Sequence, residues 1–297
     1  MAKKKVQAES HQAFHLKYRP KTLDKIIGHE TAVKRLTYLA ETKKLPNALL
    51  FVGPSSVGKT TLATAFTASL FGVKTVENHP DFKDMNAAGD TRGIDDVKDM
   101  LRLSKMQPRT ASHRVILLDE AQGFTGASAE ALLKPLEKPS PKTLFILGTM
   151  EPEKLKQAFK NRCSLFVLTP PSEADLTKYV KRIIKGEEIS YMNDELIKTV
   201  VQNSNGEMRS AANIMEAIVQ MSGGKKIKKE EVLQALESVE SSDDTILVNI
   251  MDAVYGRDLV GINRNIIDIS NGFQFINKLL YVNRFIISNT VLNGDKH

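Results

Sequence analysis

The stretch Gly53-Pro54-Ser55-Ser56-Val57-Gly58-Lys59-Thr60-Thr61 sets a lone lysine and two threonines after a loop bounded by glycines. It fits G-x-x-x-x-G-K-[ST], a loop whose backbone N–H groups can surround a polyphosphate at a helix N-terminus. Lys59 would add a point charge for the outer phosphates, and the Thr60 hydroxyl is a hard oxygen suited to Mg²⁺. A second stretch, RVILLDEAQ, ends four apolar residues in Asp119-Glu120. A carboxylate at a strand's carboxyl end can hold a metal, and its neighbour can orient a water in line with a terminal phosphate. Thr149 closes the apolar run TLFILGT, where a hydroxyl could bridge that water and the phosphate. Arg162 falls in a turn before another apolar run, and Arg209 falls early in a helical pattern. An arginine that reaches a phosphoryl group stabilises the charge of the transition state.

These groups need a scaffold that gathers them. The apolar runs Ala48–Val52, Val115–Leu118, Thr143–Leu147 and Leu165–Leu168, with a weaker one at Phe82–Met85, read as strands buried on both faces. Helical patterns alternate with them, which argues for an α/β fold with a parallel sheet. The prolines of TPPSEADL mark a boundary, and Ser172 with Asp175 resembles a capping box. From there to about Ser238 the pattern is helical, and further helical stripes follow Ser241.

Composition agrees with a soluble globular chain: 41% apolar, 26% charged, and no apolar run near the length of a membrane span. The start MAKKKVQAES is basic but lacks the apolar stretch of a signal peptide. A single cysteine, Cys163, and scattered histidines offer neither a disulfide nor a zinc site, and they suit a reducing, cytoplasmic setting. The net charge of +7 is uneven: from Leu236 onward five Lys/Arg face eight Asp/Glu, which leaves +10 on the preceding part. A basic front portion suits a polyanion-binding surface.

The order of parts resembles the ATPase subunits of sliding-clamp loaders, within the AAA+ superfamily. KYRPKTLDKIIGHE is similar to the family's entry motif beside the adenine, with Tyr18, Arg19, Pro20 and Gly28 in register. GPSSVGKTT and LLDEAQ look like Walker A and Walker B. MNAAGDTRGIDDVKDM is similar to small subunits of replication factor C, whereas EALLKPLEKPSPKTLFILGTMEPEKLKQAFKNRC looks more like the bacterial gamma/tau subunit. The latter runs through sensor 1, at Thr149, to the arginine-finger motif, with Asn161-Arg162-Cys163 where the family has Ser-Arg-Cys. GEMRSAANIMEAI resembles the sensor 2 helix, and IMDAVYGRDLVGINRNIIDI the start of the gamma/tau collar. The mixture would suit a viral or phage-encoded member. The bacterial four-cysteine zinc module is absent, and the collar is short.

The resemblance implies a basic arm (1–10), an AAA+ P-loop domain (11–170), a small helical lid (171–238) and a partial helical collar (239–297). It implies ATP and Mg²⁺ as cofactors. Residues Gly53 to Thr61, with Tyr18, Arg19, Pro20, Gly28 and Arg209, would hold the nucleotide. Thr60 and Asp119 would hold the metal. Lys59, Glu120, Thr149 and Arg209 would act on the subunit's own ATP, and Arg162 on a neighbour's. The implied partners are a ring-shaped sliding clamp, primer–template DNA and other subunits in a five-membered spiral at a replication fork. DNA phosphates would meet Arg92 and Gly93 at one helix start and Thr125 near another. The helix from Ile94, with Val97, Met100, Leu101 and nearby Met106, is a candidate for the clamp contact. Other readings are a different AAA+ motor on DNA, such as a helicase loader or branch-migration motor, a loader subunit that does not hydrolyse ATP, and a P-loop kinase.

Overall fold

The computed structural model describes residues 12–87, 94–124, 126–189, 192–222, 227, 230–232 and 234–235. The expected basic arm and collar lie outside them. Five parallel strands are present: β1 Ala48–Val52, β2 Phe82–Asn86, β3 Arg114–Asp119, β4 Thr143–Thr149 and β5 Ser164–Val167. They form one sheet in the order β2-β3-β4-β1-β5. The helices are α1 Phe14–Lys17, α2 Glu30–Thr42, α3 Lys59–Phe71, α4 Ile94–Ser104, α5 Gly126–Glu137, α6 Gln157–Lys160, α7 Glu173–Gly186, α8 Asp194–Asn203 and α9 Met208–Ser222.

Strand periodicity sorts the core. Successive side chains of a strand point to opposite faces. Leu49, Phe51, Val115 and Leu117 accordingly join one cluster with Leu36 of α2 and Leu62 and Phe66 of α3. Their strand neighbours Leu50, Ile116 and Leu118 join another with Val97 and Met100 of α4 and Leu132 and Leu136 of α5. Each such side chain is almost fully buried, and each burial contributes about 1.5–3 kcal/mol. Both faces are therefore covered, as the continuous apolar runs require.

The edge strand departs from that expectation. Among the described residues β5 pairs with β1 alone, and Leu165 and Val167 stay 50% and 64% exposed. Arg35 of α2 stacks 4.1 Å from the Phe166 ring centre and donates to the Leu165 carbonyl. That contact occupies an edge carbonyl that another strand could otherwise use.

Two local devices fix the loops. Ser172 and Asp175 form a capping box at the start of α7, as their spacing suggested. Before β2, buried Asp81 accepts N–H bonds from Arg109 (2.7 Å), Thr110 (2.7 Å) and Ala111 (2.9 Å), and one from Arg114 Nη2 (3.2 Å). Burial alone would raise the Asp81 carboxyl; these four donors outweigh it and hold the carboxyl below the usual carboxylate range.

Packing divides the chain into two units, and the one comprising Met1–Ile189 and Asn193–Glu216 contains every residue of the site described next.

Candidate functional site

The site lies beyond the carboxyl ends of the strands, where an open parallel sheet receives its ligand. β1 ends at Val52, and the chain turns through the glycine-bounded loop into α3, which starts at Lys59. Gly58 has φ +100°, a backbone region that side chains rarely adopt. β3 ends at Asp119, and β4 ends at Thr149. A cleft of about 420 Å³ opens here, lined by Ser55 to Leu62, Asp119, Glu120 and Arg209, with Arg19 and Pro20 from the entry segment.

The polar groups engage one another. Lys59 is 7% exposed and donates to the carbonyls of Gly53 (2.9 Å) and Pro54 (2.8 Å). Burial pushes its amine below the ordinary lysine value, against the pull of Glu120 and Asp119. Thr60 Oγ1 donates to Asp119 Oδ2 at 2.5 Å. Both are hard oxygens of the kind Mg²⁺ takes; with bonds of about 2.0–2.1 Å its adjacent octahedral positions lie about 2.9 Å apart, so an ion held by both would spread the pair and replace this hydrogen bond. Among the described residues no group of three His, Cys, Asp or Glu converges as a metal site of its own. Arg19 donates from Nε to Thr61 Oγ1 (3.0 Å), tying the entry segment to α3. Burial lowers the Arg19 guanidinium, Asp119 opposes that, and Arg209 reinforces it.

Several expected residues stand apart from the cleft. Tyr18 does not line it: its hydroxyl donates to Glu187 at 2.5 Å, and burial followed by that carboxylate raises its phenol. Gly28, Gly53, Pro54 and Thr149 are likewise not among the lining residues. Gly53 and Pro54 still take part, as the carbonyls that receive Lys59. Thr149 is fully buried and donates to Gln122, which in turn donates to Glu120. Arg162 sits outside the cleft and pairs with Glu137 at 2.8 Å. Arg92, Gly93 and Thr125 lie outside the described residues. On α4, Val97 and Met100 are buried, while Met106 just beyond it is 53% exposed.

Some lining residues were not anticipated. Ile26, Ile27, Pro171 and Tyr179 add apolar surface to the lining, and burial lifts the Tyr179 phenol to about 12. His29, at φ 57°, joins its Nε2 to the Val57 carbonyl at 3.0 Å and so links the entry segment to the loop. Asn86 lines the cleft because β2 runs one residue beyond its apolar run, level with Asp119. Its signal was available: a polar residue directly after the apolar run Phe82–Met85.

Comparison with known proteins bears on the family and the fold. A family model described as DNA polymerase III, delta subunit, matches residues 28–172. A replication factor C small subunit from Natronomonas pharaonis is 36% identical over 70% of this chain and 62% of its own length. Another from Methanosphaera stadtmanae is 32% identical over 82% of this chain and 75% of its own. Replication factor C subunit 3 of Blastobotrys adeninivorans is 32% identical over 80% and 69%. The chain thus spans under two thirds of the Natronomonas relative and 64% of one from Methanococcus maripaludis. The solved structure of the Thermotoga maritima RuvB Holliday junction branch migration motor superposes with a TM-score of 0.65, at 20% identity and 80% coverage of each chain. At that identity the likeness speaks for the AAA+ fold alone. Among the described residues no helix is long and apolar enough to cross a membrane. By its sequence relatives, the chain belongs to the replication factor C small-subunit family of clamp-loader AAA+ ATPases.

Proposed function

We propose that this chain binds and hydrolyses ATP as one subunit of a loader that opens a ring-shaped clamp and sets it on primer–template DNA. The observation that carries the reading is the convergence of Lys59, Thr60, Asp119, Glu120 and Arg209 on one cleft. In that reading the loop's N–H groups and Lys59 bind the phosphates, with Lys59 exchanging its two carbonyl partners for phosphate oxygens. Thr60 and Asp119 would hold Mg²⁺, which when bound offsets phosphate charge. Glu120 takes the proton of the attacking water, with Thr149 behind it. Arg209, at the start of α9, reaches the nucleotide from the helical segment. Arg162, which lies outside its own subunit's cleft, serves the neighbouring subunit's ATP. The arm, the collar and the boundaries at 170 and 238 belong to the same proposal, as do phosphate contacts from Arg92, Gly93 and Thr125.

The test compares Lys59→Ala with the unaltered chain. ATP affinity in Mg²⁺ is measured first, then ATP turnover with clamp, primer–template DNA and co-purifying subunits. Lys59→Ala should lose tight ATP binding with its fold intact, and clamp with DNA should stimulate the unaltered complex. A folded Lys59→Ala chain that binds and hydrolyses ATP normally sinks the site. DNA translocation without a response to clamp moves the assignment to another AAA+ motor.

A further inference from the structure

A directed chain of hydrogen bonds runs behind the cleft, through a residue to which the proposed function gives no role. The Glu151 N–H donates to Thr149 Oγ1 (3.1 Å), and the Thr149 hydroxyl donates to Gln122 Oε1 (2.6 Å). Gln122 Nε2 then donates to Glu120 Oε2 (2.6 Å). All donors point the same way, and the chain ends on the carboxylate. Gln122 joins a hydroxyl that gives a proton to a carboxylate that can only accept one. A primary amide suits that link, because it carries a donor and an acceptor on one planar group. The carboxylate also fixes which way round the amide sits, since the reversed amide would set oxygen against oxygen. Successive bonds of one direction polarise one another.

The backbone holds all three side chains in place. Thr149 is fully buried at the end of β4. Gln122 lies in a one-turn 3₁₀ segment, Ala121–Gly123, whose Ala121 is buried in the core. The Gly123 N–H closes that turn on the Glu120 carbonyl at 2.8 Å. Glu120 has φ 51°, a left-handed conformation that a non-glycine residue keeps only when its surroundings impose it. The carboxylate is thus turned by its own backbone and held at one oxygen by Gln122.

We propose that Gln122 is a positioning residue for the hydrolytic step. Its amide ties Thr149 to Glu120 and sets the direction from which Glu120 meets the attacking water. The inference rests on the ATPase reading above. It also separates Gln122 from a residue that merely fills space, because its amide polarity and not its volume is what matters.

The test uses the full chain in its assembled complex, with Gln122→Ala, Gln122→Glu, Thr149→Val and the double variant Gln122→Ala/Thr149→Val. Gln122→Glu keeps the shape and the acceptor for Thr149, but it sets a carboxylate against Glu120. In both Gln122 variants kcat should fall about ten- to a hundredfold, less than the hundred- to ten-thousandfold worth of a general base itself. ATP affinity should stay within about threefold, a split that marks loss in the transition state alone. The double variant should be no worse than about twofold below the poorer single one, because both cut the same chain. Should Gln122→Ala fail to fold, the isosteric Gln122→Glu carries the test. Normal kcat in Gln122→Glu, or losses that simply multiply in the double variant, overturn the positioning role. Turnover of the unaltered complex that does not depend on Lys59 overturns the ATPase reading, and the inference with it.

Discussion

Arg162→Ala should bind ATP almost normally as a free chain, yet cut turnover of the assembled complex by about a thousandfold or more, the usual scale for an arginine supplied in trans. In the single chain Arg162 is parked. Its Nε and Nη2 donate to Glu137 Oε2 at 3.2 and 2.8 Å, and its Nη1 donates to the Ala158 carbonyl at 2.8 Å. The Glu137 side chain is 64% exposed and that of Arg162 28%, so the pair is worth about 0–1 kcal/mol. Leaving Glu137 therefore costs about fivefold at most. A thousandfold gain at a neighbour's phosphate corresponds to about 4 kcal/mol and easily outweighs that. Glu137→Gln should accordingly change turnover by no more than about fivefold. The deciding assay mixes Arg162→Ala with Lys59→Ala subunits. Where the first supplies an intact loop and the second an intact Arg162, a competent interface forms. Partial recovery of ATPase in the mixture is the expected result. Assembly without recovery, or full activity of Arg162→Ala in the complex, refutes the trans role and leaves Arg162 as the partner of Glu137.

Four further outcomes are expected. Glu120→Gln should keep ATP binding and lose turnover by about a hundred- to ten-thousandfold, read by parallel titration and single-turnover assays. Asp81→Asn should lower unfolding stability by about 3–5 kcal/mol in denaturant titrations, because it strands Arg114 and its neighbours' N–H groups. The Asp81 carboxyl is depressed in the folded state, so its share of stability is present above the unfolded value of about 4 and fades as pH falls further; the variant should lack that acid limb. Gly148→Ala puts a Cβ 2.8 Å from Asp119 Oδ1, and isothermal titration should show Mg²⁺-dependent ATP binding weakened about tenfold or more. DNA affinity should fall steeply with salt and ignore base sequence; a flat salt response counts against phosphate contacts.

The site was legible where its chemistry is local in sequence. The glycine-bounded loop, Lys59 and Thr60 are contiguous, and Asp119-Glu120 ends a strand that its apolar run announces. Links between distant segments were not legible. The bond from Thr149 to Gln122 spans 27 residues and that from Arg162 to Glu137 spans 25. Each depends on rotamers that packing selects. The fold was legible in its strands, since runs buried on both faces leave a strong mark. The exposure of Leu165 and Val167 was not, because edge position belongs to sheet order and not to residue type.

Sheet order is also what makes the scattered motifs one site. β4 lies between β1 and β3, although it follows both in the chain. The register sets Val52 level with Thr149 and Leu118 level with Leu147. The loop that leaves β1 and the carboxylates that end β3 therefore flank the end of β4. Gly148, bare of a side chain, leaves room there for Asp119. Thr149, one residue on, reaches Gln122 and through it Glu120. A slip of one residue in β4 would exchange its two faces, turn Thr149 away from Gln122 and bring a side chain against Asp119. Polarity does not oppose that slip, since Leu144 to Leu147 are all apolar and buried; the shapes of the two core clusters do, because Leu144 and Ile146 fit one and Phe145 and Leu147 the other. The packing of β4 thus holds the register of the cleft, and on the proposed ATPase reading a core substitution that loosens it should cost turnover before it costs the fold.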